Sequence, residues 1–476
     1  MYALINAASP WLNEHIKSFI REHVPDSVFI DDVEDFPDNP SSVFQFCDGW
    51  ALNANFAVAN SIESALINAY PSSDAIARKD YLSKVVEIWT AKRPESVLRN
   101  HVPVTVRLNL DYAEYVEESL AEADDLTLLY SLEENEGKSG PQREWWILKP
   151  ALVDCGAGIR LFSTLDELAS HLELAEYEYD DDETSEEVSE VGEVAGAPSN
   201  ANKSGFASAI AAYGLDAMIT ATGAMTLDGK PEKSQGRSKR PQYIFKADGR
   251  IPSAQMRTFV AQRYIASVPV IDKRKWHVRA YVLSIGRLKV YTFKEMLTLL
   301  AGEDYEPPWE NPSLRASLTN TALQDEADFN IKEPMRDFAT IDDDVLPGDW
   351  KAQTFDQICK INAEIFLGAV HTMADKFTTI NKSFELFAVD YLLDTSGNAW
   401  LLEVNETPAF YQHGFAGPLS LRLMESVICI AMDHMGKANM ADPRNNEVRE
   451  RMKLVLDETD TLAKSMISNI VPEDSV

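Results

Sequence analysis

The sequence predicts a mixed α/β (α+β) fold made of more than one domain. The chain has 476 residues, 45% of them hydrophobic, which is enough for a sizeable core and for two to four domains. Short apolar runs bounded by glycine, proline and asparagine are typical of strands, and longer segments repeat apolar residues at helical spacing. No internal repeat at a solenoid period interrupts this alternation.

The charge balance excludes some partners. Lys and Arg number 44 against 76 Asp and Glu, so the formal net charge is −32. A field of that sign repels nucleic acid, anionic lipid and acidic peptides unless a local basic groove overrides it. We therefore expect no direct nucleic-acid binding and no membrane association.

The cysteines and the N-terminal segment predict a cytoplasmic location. The four cysteines are far apart and form no CxxC pair, so neither a disulfide framework nor a zinc or redox site is indicated. They are Cys47, Cys155, Cys359 and Cys429. The N-terminus lacks a secretory pattern, and no run reaches the roughly 18 apolar residues that a membrane span needs.

Residues 1–77 are predicted to form a small N-terminal α/β domain, in which FCDGWALNANFAVAN is typical of a strand followed by a helix. A central subdomain, 78–268, follows. It opens on DAIARKDYLSKVVEIWTAKRPES, whose apolar residues recur at helical spacing.

Within the central subdomain, WWILKPALVDCGAGIRLF predicts two strands joined by a glycine-containing loop, and MRTFVAQRYIASVPVI predicts a further strand. Between them, from about 177 to 242, the chain becomes acidic and then basic, with few core-forming residues. We predict that this insertion is largely disordered, with at most a short helix near FASAIAAYGL.

The C-terminal subdomain, 269–476, begins with KWHVRAYVLSIGRLKVYTFKEM, which predicts two strands joined by a turn at Gly286. The remaining predicted elements are a helix over 352–377, a hairpin over 387–410 and two helices near 417–436 and 445–470.

The hairpin carries polar groups where strands usually bury apolar ones. If Ser396 and Gly397 form a two-residue turn, Asp390 faces Glu403, and Asn405 lies on the same side of its strand as Glu403. Two facing carboxylates repel each other, and Mg²⁺ is an economical way to hold them together. An ordinary edge pair with carboxylates at the strand ends would show the same short pattern.

Several cations offer partners for phosphate. Lys149 ends an apolar strand before a glycine-containing loop, although an edge lysine that reaches water would look the same. Lys275 and Arg279 are four apart in a strand, hence on one face, as alternating solvent-facing residues would also be. Lys294 and Thr319 are unremarkable alone.

Six segments in order resemble the tubulin-tyrosine ligase (TTL) and TTL-like family of the ATP-grasp superfamily, and they cover most of residues 78 to 410. The segments are WWILKPALVDCGAGI, VAQRYI, KWHVRAYVL, VYTFKE, SLTN and ELFAVDYLLDTSGNAWLLEVNETP. A narrower similarity links the chain to fungal TTL-domain proteins associated with processing bodies. The resemblance implies an ATP-grasp fold that holds ATP between two α+β subdomains.

The resemblance also assigns site residues. It implies that Lys275 and Arg279 lie near the γ-phosphate and the reaction centre, and that Asp390, Glu403 and Asn405 bind Mg²⁺. The further residues that it places at the nucleotide or beside the acceptor are Lys79, Lys149, Gln262, Arg263, Ile265, Lys294, Thr319 and Asn320. The chain departs from the family at His277, where an acidic residue is common, and in the length of its central insertion.

The implied reaction activates a carboxylate as an acyl-phosphate, which an amine attacks to form an amide bond. The implied substrates are a protein or peptide acceptor and an amino acid, and an acceptor other than tubulin is favoured because this acidic chain would repel acidic tubulin tails. Two alternatives remain. One is a nucleotide-binding scaffold with mRNA-decapping or processing-body partners, and the other is a kinase-like phosphotransferase. We find no Ser-His-Asp or Cys-His pattern that would supply a nucleophile.

Overall fold

The computed structural model describes most of the chain. The described residues are 1–7, 9–37, 40–110, 115–152, 158–173, 258–311, 313–319 and 334–458. The predicted disordered insertion, 177–242, lies outside them, as do Cys155 and Asn320. Within the described residues, no helix is long and apolar enough to cross a membrane.

The first sheet has four parallel strands in the order β2-β1-β3-β4. The strands are β1 (Tyr2–Asn6), β2 (Val28–Ile30), β3 (Val43–Cys47) and β4 (Ala65–Ile67), with helices α1 (Pro10–His23) and α2 (Gly49–Ser61) between them. Helix α1 begins at a Ser9 cap whose hydroxyl accepts from the Leu12 N–H, with Pro10 in the first turn. The predicted strand and helix in FCDGWALNANFAVAN are confirmed as β3 and α2.

The second sheet has four antiparallel strands in the order β5-β8-β6-β7. The strands are β5 (Thr105–Asn109), β6 (Trp146–Pro150), β7 (Arg160–Phe162) and β8 (Thr258–Arg263). The helices of this region are α3 (Asp74–Ala77), α4 (Lys79–Ala91), α5 (Leu98–His101), α6 (Val116–Ala121), α7 (Thr127–Asn135) and α8 (Leu165–Glu173). This sheet buries its own core around Trp146, Phe162 and Phe259.

The third sheet has seven strands and centres on β9. The strands are β9 (Trp276–Ile285), β10 (Lys289–Phe293), β11 (Leu297–Leu300), β12 (Met335–Asp337), β13 (Phe384–Leu393), β14 (Ala399–Asn405) and β15 (Met452–Asp457). Helices α9 (Leu314–Ser317), α10 (Trp350–Thr372), α11 (Ala416–His434) and α12 (Pro443–Glu450) complete the region. Strand β9 pairs with β13 along one edge and with β11 and β10 along the other.

The two faces of the third sheet are covered differently. One face buries α10 together with α4, and a Cβ added at Gly368 of α10 would lie 3.4 Å from the Trp89 ring of α4. The other face buries α11, α1 and apolar residues of the first sheet. Helix α4 is thereby fixed against the third sheet. This packing sets the position of its first residue, Lys79, relative to the sheet.

The predicted C-terminal helix, 445–470, is confirmed only at its start and is wrong over residues 452–457, and its part after residue 458 lies outside the described residues. Helix α12 ends at Glu450, and residues 452–457 form β15, which pairs antiparallel with β10. The apolar residues Met452, Leu454 and Leu456 alternate along this segment, and pairing with the β10 edge overrides the helical spacing of the wider segment.

A buried carboxylate joins the N-terminal segment to the third sheet. Glu385 of β13 accepts hydrogen bonds from the Tyr70 N–H (3.1 Å) and the Ser73 hydroxyl (2.9 Å), and the same hydroxyl contacts Glu406 (3.3 Å). Burial, followed by repulsion from Glu406, raises the pKa of Glu385 from 4.5 to about 8.

This shift makes stability depend on pH. Between about pH 4.5 and 8 the folded state holds a proton that the unfolded state has lost, so the contribution is present in acid and disappears as the pH rises through about 8. The Glu385 contribution to the unfolding free energy of the wild type falls between pH 6 and 9. In Glu385→Gln, whose side chain stays neutral, we expect the fall over this range to be smaller by about 1–3 kcal/mol. Urea unfolding across that range measures it, with the exposed Glu447→Gln as control. Parallel pH profiles for Glu385→Gln and wild type would contradict the expectation.

Candidate active site

The hairpin places its three polar residues together, as predicted. Asp390 pairs with Glu403, and Ala388 pairs with Asn405, so the three polar side chains share one face. On its other edge β13 pairs with β9, where Asp390 lies directly opposite Arg279. Strand β9 thus places the Arg279 guanidinium beside the Asp390 carboxylate.

The turn differs from the prediction, although the register at the site agrees. The chain reverses through Thr395, Ser396 and Gly397, with the Asp394 N–H bonded to the Asn398 carbonyl (3.1 Å). Gly397 has φ +80°, which a three-residue loop of this kind requires. This shifts the register by one, and a bulge between Asp390 and Tyr391 shifts it back. The register shifts from the three-residue loop and from the bulge therefore cancel at Asp390 and Glu403.

Asp390 is buried and surrounded by donors. Both of its oxygens accept from the Arg279 guanidinium at 2.8 Å, Asn405 Nδ2 lies 3.3 Å away and His277 Nε2 lies 3.5 Å away. Burial alone would raise the pKa of Asp390, but the charges of Arg279 and His277 and the hydrogen bonds from Arg279 hold it well below its usual range. Asp390 is therefore ionised and tied to Arg279.

Glu403 is more accessible and has a different partner. Its side chain is 25% exposed, and Lys79 Nζ lies 3.5 Å from its carboxylate. The Lys79 N–H donates to the Ala151 carbonyl at 3.3 Å, just past Lys149. The facing carboxylates thus have protein cations from α4 and β9 as partners, which the predicted magnesium site did not include.

Lys149 and Lys275 are buried without an anionic partner among the described residues. Lys149 Nζ donates to Gln262 Oε1 at 2.8 Å, and Lys275 Nζ donates to the Tyr264 hydroxyl at 2.8 Å. Burial lowers the pKa of Lys149 to about 8 and that of Lys275 to about 7. For Lys149, attraction to Glu403 and Asp390 opposes burial, while repulsion from Lys79 and Lys275 adds to it, so these side chains form one electrostatic cluster.

The other sequence-predicted residues are distributed unevenly. Thr319 is buried, and its hydroxyl hydrogen-bonds His277 Nδ1. Arg263 Nε lies 2.7 Å from a Glu144 oxygen, and Ile265 follows β8 half-buried. Lys294 lies at the end of β10 with an exposed side chain, and within the described ranges no contact joins that side chain to the cluster. Asn320 lies outside the described residues.

Two tyrosines of the site were not predicted from the sequence. Tyr264 holds Lys275, and its position two residues after Gln262 in VAQRYI was the available signal, because such residues share a strand face. Tyr411 lies beside Arg279; burial raises the pKa of its phenol, and the guanidinium opposes that shift. No pattern in the sequence placed Tyr411 there.

A cleft of about 470 Å³ lies beside the end of β8. Its walls include the rings of Trp145, Tyr264 and Trp309 and the side chain of Arg263. Tyr264 is shared between this cleft and the cation cluster. Lys149 and Lys275 do not line the cleft themselves, so Tyr264 is the side chain that contacts both regions.

The donor set suits Mg²⁺, which prefers oxygen ligands from one or two carboxylates. Glu403 offers a partly exposed carboxylate. Asn405 directs its amide nitrogen to Asp390 and to the Ala388 carbonyl, which leaves its amide oxygen for a metal. Among the described residues no three His, Cys, Asp or Glu side chains cluster as a metal site, so phosphate and water oxygens would have to complete the coordination.

Buried lysines and an arginine between two α+β units, facing a carboxylate hairpin, form the arrangement of an ATP-grasp protein. The fold agrees, since it matches the crystal structure of the C-terminal domain of Pby1 from K. lactis, an ATP-grasp enzyme interacting with the mRNA decapping enzyme Dcp2. That match covers 96% of this chain and 98% of the other, with a TM-score of 0.60 and 20% identity.

The chain belongs to the tubulin-tyrosine ligase family, whose sequence pattern it matches over residues 58–435. It is 33% identical over 356 residues to a probable tubulin-tyrosine ligase of Schizosaccharomyces pombe, covering 74% of this chain and 73% of that protein. It is 30% identical over 360 residues to the probable tubulin-tyrosine ligase PBY1 of Saccharomyces cerevisiae, covering 73% of this chain but only 40% of that protein. Family and fold make it an ATP-grasp ligase-type enzyme.

Proposed function

We propose that this chain is an ATP- and Mg²⁺-dependent ligase that joins an amino acid to a protein or peptide carboxylate through an amide bond. The observation that carries the proposal is the pair of buried lysines, Lys149 and Lys275, which have neutral partners and lie in one electrostatic cluster with Asp390 and Glu403. Burying a cation without an anionic partner costs free energy. A nucleoside triphosphate is an anion that can pair with two such lysines.

The nucleotide would occupy the space between the second and third sheets. Lys149, Lys275 and Lys79 would bind its phosphates, with Lys294 and Thr319 as further contacts implied by the family. Gln262, Arg263 and Ile265, at the end of β8, would lie by the base. The aromatic cleft beside them suits a flat ring system.

Asp390, Glu403 and Asn405 would hold Mg²⁺, which when bound would help to neutralise the charge of the transferring phosphoryl group. Asp390 could take part while it still accepts from Arg279, because each carboxylate oxygen has two acceptor sites and Arg279 occupies one on each.

The reaction has two balanced steps. A carboxylate oxygen of the acceptor attacks the γ-phosphorus of ATP, and the bond to the bridging oxygen breaks to release ADP. The amine of the amino acid then attacks the acyl-phosphate carbon, phosphate leaves, and the amine loses a proton. Lys275 and Arg279 would stabilise the developing negative charge, so the protein needs no nucleophilic side chain.

The acceptor proposed here is a protein or peptide other than tubulin. The relatives are named as probable tubulin-tyrosine ligases, but a net charge of −32 disfavours an acidic tubulin tail.

A nucleotide-binding scaffold in a cytoplasmic mRNA-decapping or processing-body assembly is the second candidate, because the fold matches a domain of Pby1, an enzyme interacting with the mRNA decapping enzyme Dcp2.

ADP release in the presence of ATP, Mg²⁺ and candidate amino acids tests the proposal. We expect Glu403→Gln to lower amino-acid-dependent ADP release at least 100-fold, since a metal ligand and the Lys79 partner are both lost. The exposed Glu447→Gln is the control and should retain activity. ATP binding without turnover in the wild type would favour the scaffold, and phosphate on a substrate would indicate a kinase.

A further inference from the structure

Two kinds of partner hold the cations of the candidate site. Arg279 and Lys79 each contact a carboxylate, Asp390 and Glu403 respectively. Lys149 and Lys275 instead contact neutral oxygens, from Gln262 and Tyr264. Both neutral acceptors come from one three-residue stretch at the end of β8.

The backbone explains why one stretch can hold both lysines. Gln262 pairs with Ile147 of β6, and the Tyr264 N–H continues that ladder by donating to the Trp145 carbonyl at 2.8 Å. Gln262 and Tyr264 are two apart and therefore point to the same face. That face receives Lys149 from the neighbouring strand and Lys275 from the start of β9.

The two acceptors are themselves held in place. The Gln262 amide nitrogen donates to the Thr105 hydroxyl at 3.2 Å, so its oxygen is directed at Lys149. Tyr264 presents both its hydroxyl and its ring to Lys275, whose Nζ lies 4.0 Å from the ring centroid. Tyr305 also flanks Lys275, at 5.6 Å, but its hydroxyl donates to the Ala266 carbonyl.

A neutral acceptor does something that a carboxylate cannot. An ammonium has three N–H groups, so one hydrogen bond fixes its position and leaves two for a ligand. A carboxylate would also cancel the charge, whereas an amide or phenol oxygen leaves it available.

We propose that Gln262 and Tyr264 are paired positioning residues, which hold the ammonium groups of Lys149 and Lys275 by neutral hydrogen bonds so that both stay available to bind polyphosphate. This inference rests on the proposed nucleotide site and assigns two of its positioning residues. In this inference Gln262 positions Lys149 for phosphate binding, in addition to lying near the base as the family implies.

Proton uptake is a consequence that can be measured. Burial lowers the pKa of both lysines, to about 8 and about 7, and a bound polyphosphate raises them again. Binding above pH 7 therefore takes up protons, and the affinity falls as the pH rises.

The experiment is isothermal titration of the full chain with Mg²⁺-ATP, and separately with inorganic tripolyphosphate, from pH 6.5 to 9 in two buffers of different ionisation enthalpy. Tyr264→Phe keeps the ring and removes the acceptor. We expect it to weaken both ligands about tenfold and to move the fall in affinity to lower pH. Tyr130→Phe, the same chemical change at an exposed tyrosine of α7, is the control and should bind within about twofold of wild type.

Gln262→Glu supplies a second, independent variant. It replaces a neutral acceptor by an anionic one of the same shape, so Lys149 gains a charge partner. We expect binding of both ligands to weaken at least tenfold, and proton uptake at pH 8 to decrease because Lys149 is already protonated.

The outcomes distinguish failure of the proposed function from failure of the positioning roles of Gln262 and Tyr264. A wild type that binds neither Mg²⁺-ATP nor tripolyphosphate overturns the proposed function and this inference together. A wild type that binds, with Tyr264→Phe matching Tyr130→Phe in affinity and pH profile and Gln262→Glu matching wild type, overturns the inference alone. If Tyr264→Phe lowers the melting temperature too far to titrate, Gln262→Glu decides.

Discussion

Replacing Asp390 by alanine is expected to destabilise the protein by about 3–5 kcal/mol, because it leaves the buried Arg279 guanidinium without its carboxylate. Asn405 loses a hydrogen-bond acceptor, and His277 loses a nearby carboxylate, at the same time. Urea unfolding monitored by circular dichroism gives the free energy, and ATP turnover should also be lost.

The physical cause can be isolated with a second substitution. Arg279→Met in the Asp390→Ala background removes the stranded charge, and we expect the double variant to recover most of the lost stability. The wild type should also lose stability as the pH falls below the ordinary carboxyl range near 4, since the lowered pKa of Asp390 makes its contribution present only while it is ionised. A loss below 1 kcal/mol for Asp390→Ala at pH 7 would contradict the assigned pairing.

Replacing Lys275 by methionine is expected to change stability and ligand binding in opposite directions. The substitution removes a buried ammonium that has only a phenol partner, so the unfolding free energy should rise by about 1–3 kcal/mol at pH 7. The affinity for Mg²⁺-ATP should fall about 100-fold, because a desolvated cation that binds phosphate is lost. Chemical unfolding and titration calorimetry measure the two effects.

The pH dependence checks the cause. Because burial lowers the pKa of Lys275 from 10.5 to about 7, the unfolded state holds more protons than the folded state in that interval, and the contribution of Lys275 to wild-type stability becomes more favourable as the pH rises. Lys275→Met should lack this gain. Lys84→Met, on the exposed side of α4, is the control. If Lys275→Met has a lower unfolding free energy than the wild type, burial of the Lys275 ammonium does not destabilise the protein.

The sequence by itself determined the secondary structure around the site. Alternation and turn residues predicted β6, β8, β9 and the hairpin, and the 3.6-residue period predicted α4 and α10, because each signal is local. A two-residue turn also predicted that Asp390 faces Glu403, and this facing is observed although the loop has three residues, because a bulge shifts the register back.

Tertiary structure alone decided which charges meet. The loop and bulge of the hairpin offset each other, the segment after Glu450 became a strand because β10 offered an edge, and the carboxylates found Arg279 and Lys79 from distant parts of the chain. Lys149 and Gln262 are 113 positions apart and touch at 2.8 Å. Hydrogen bonds and ion pairs across such intervals depend on how sheets and helices pack, and no local pattern encodes that packing.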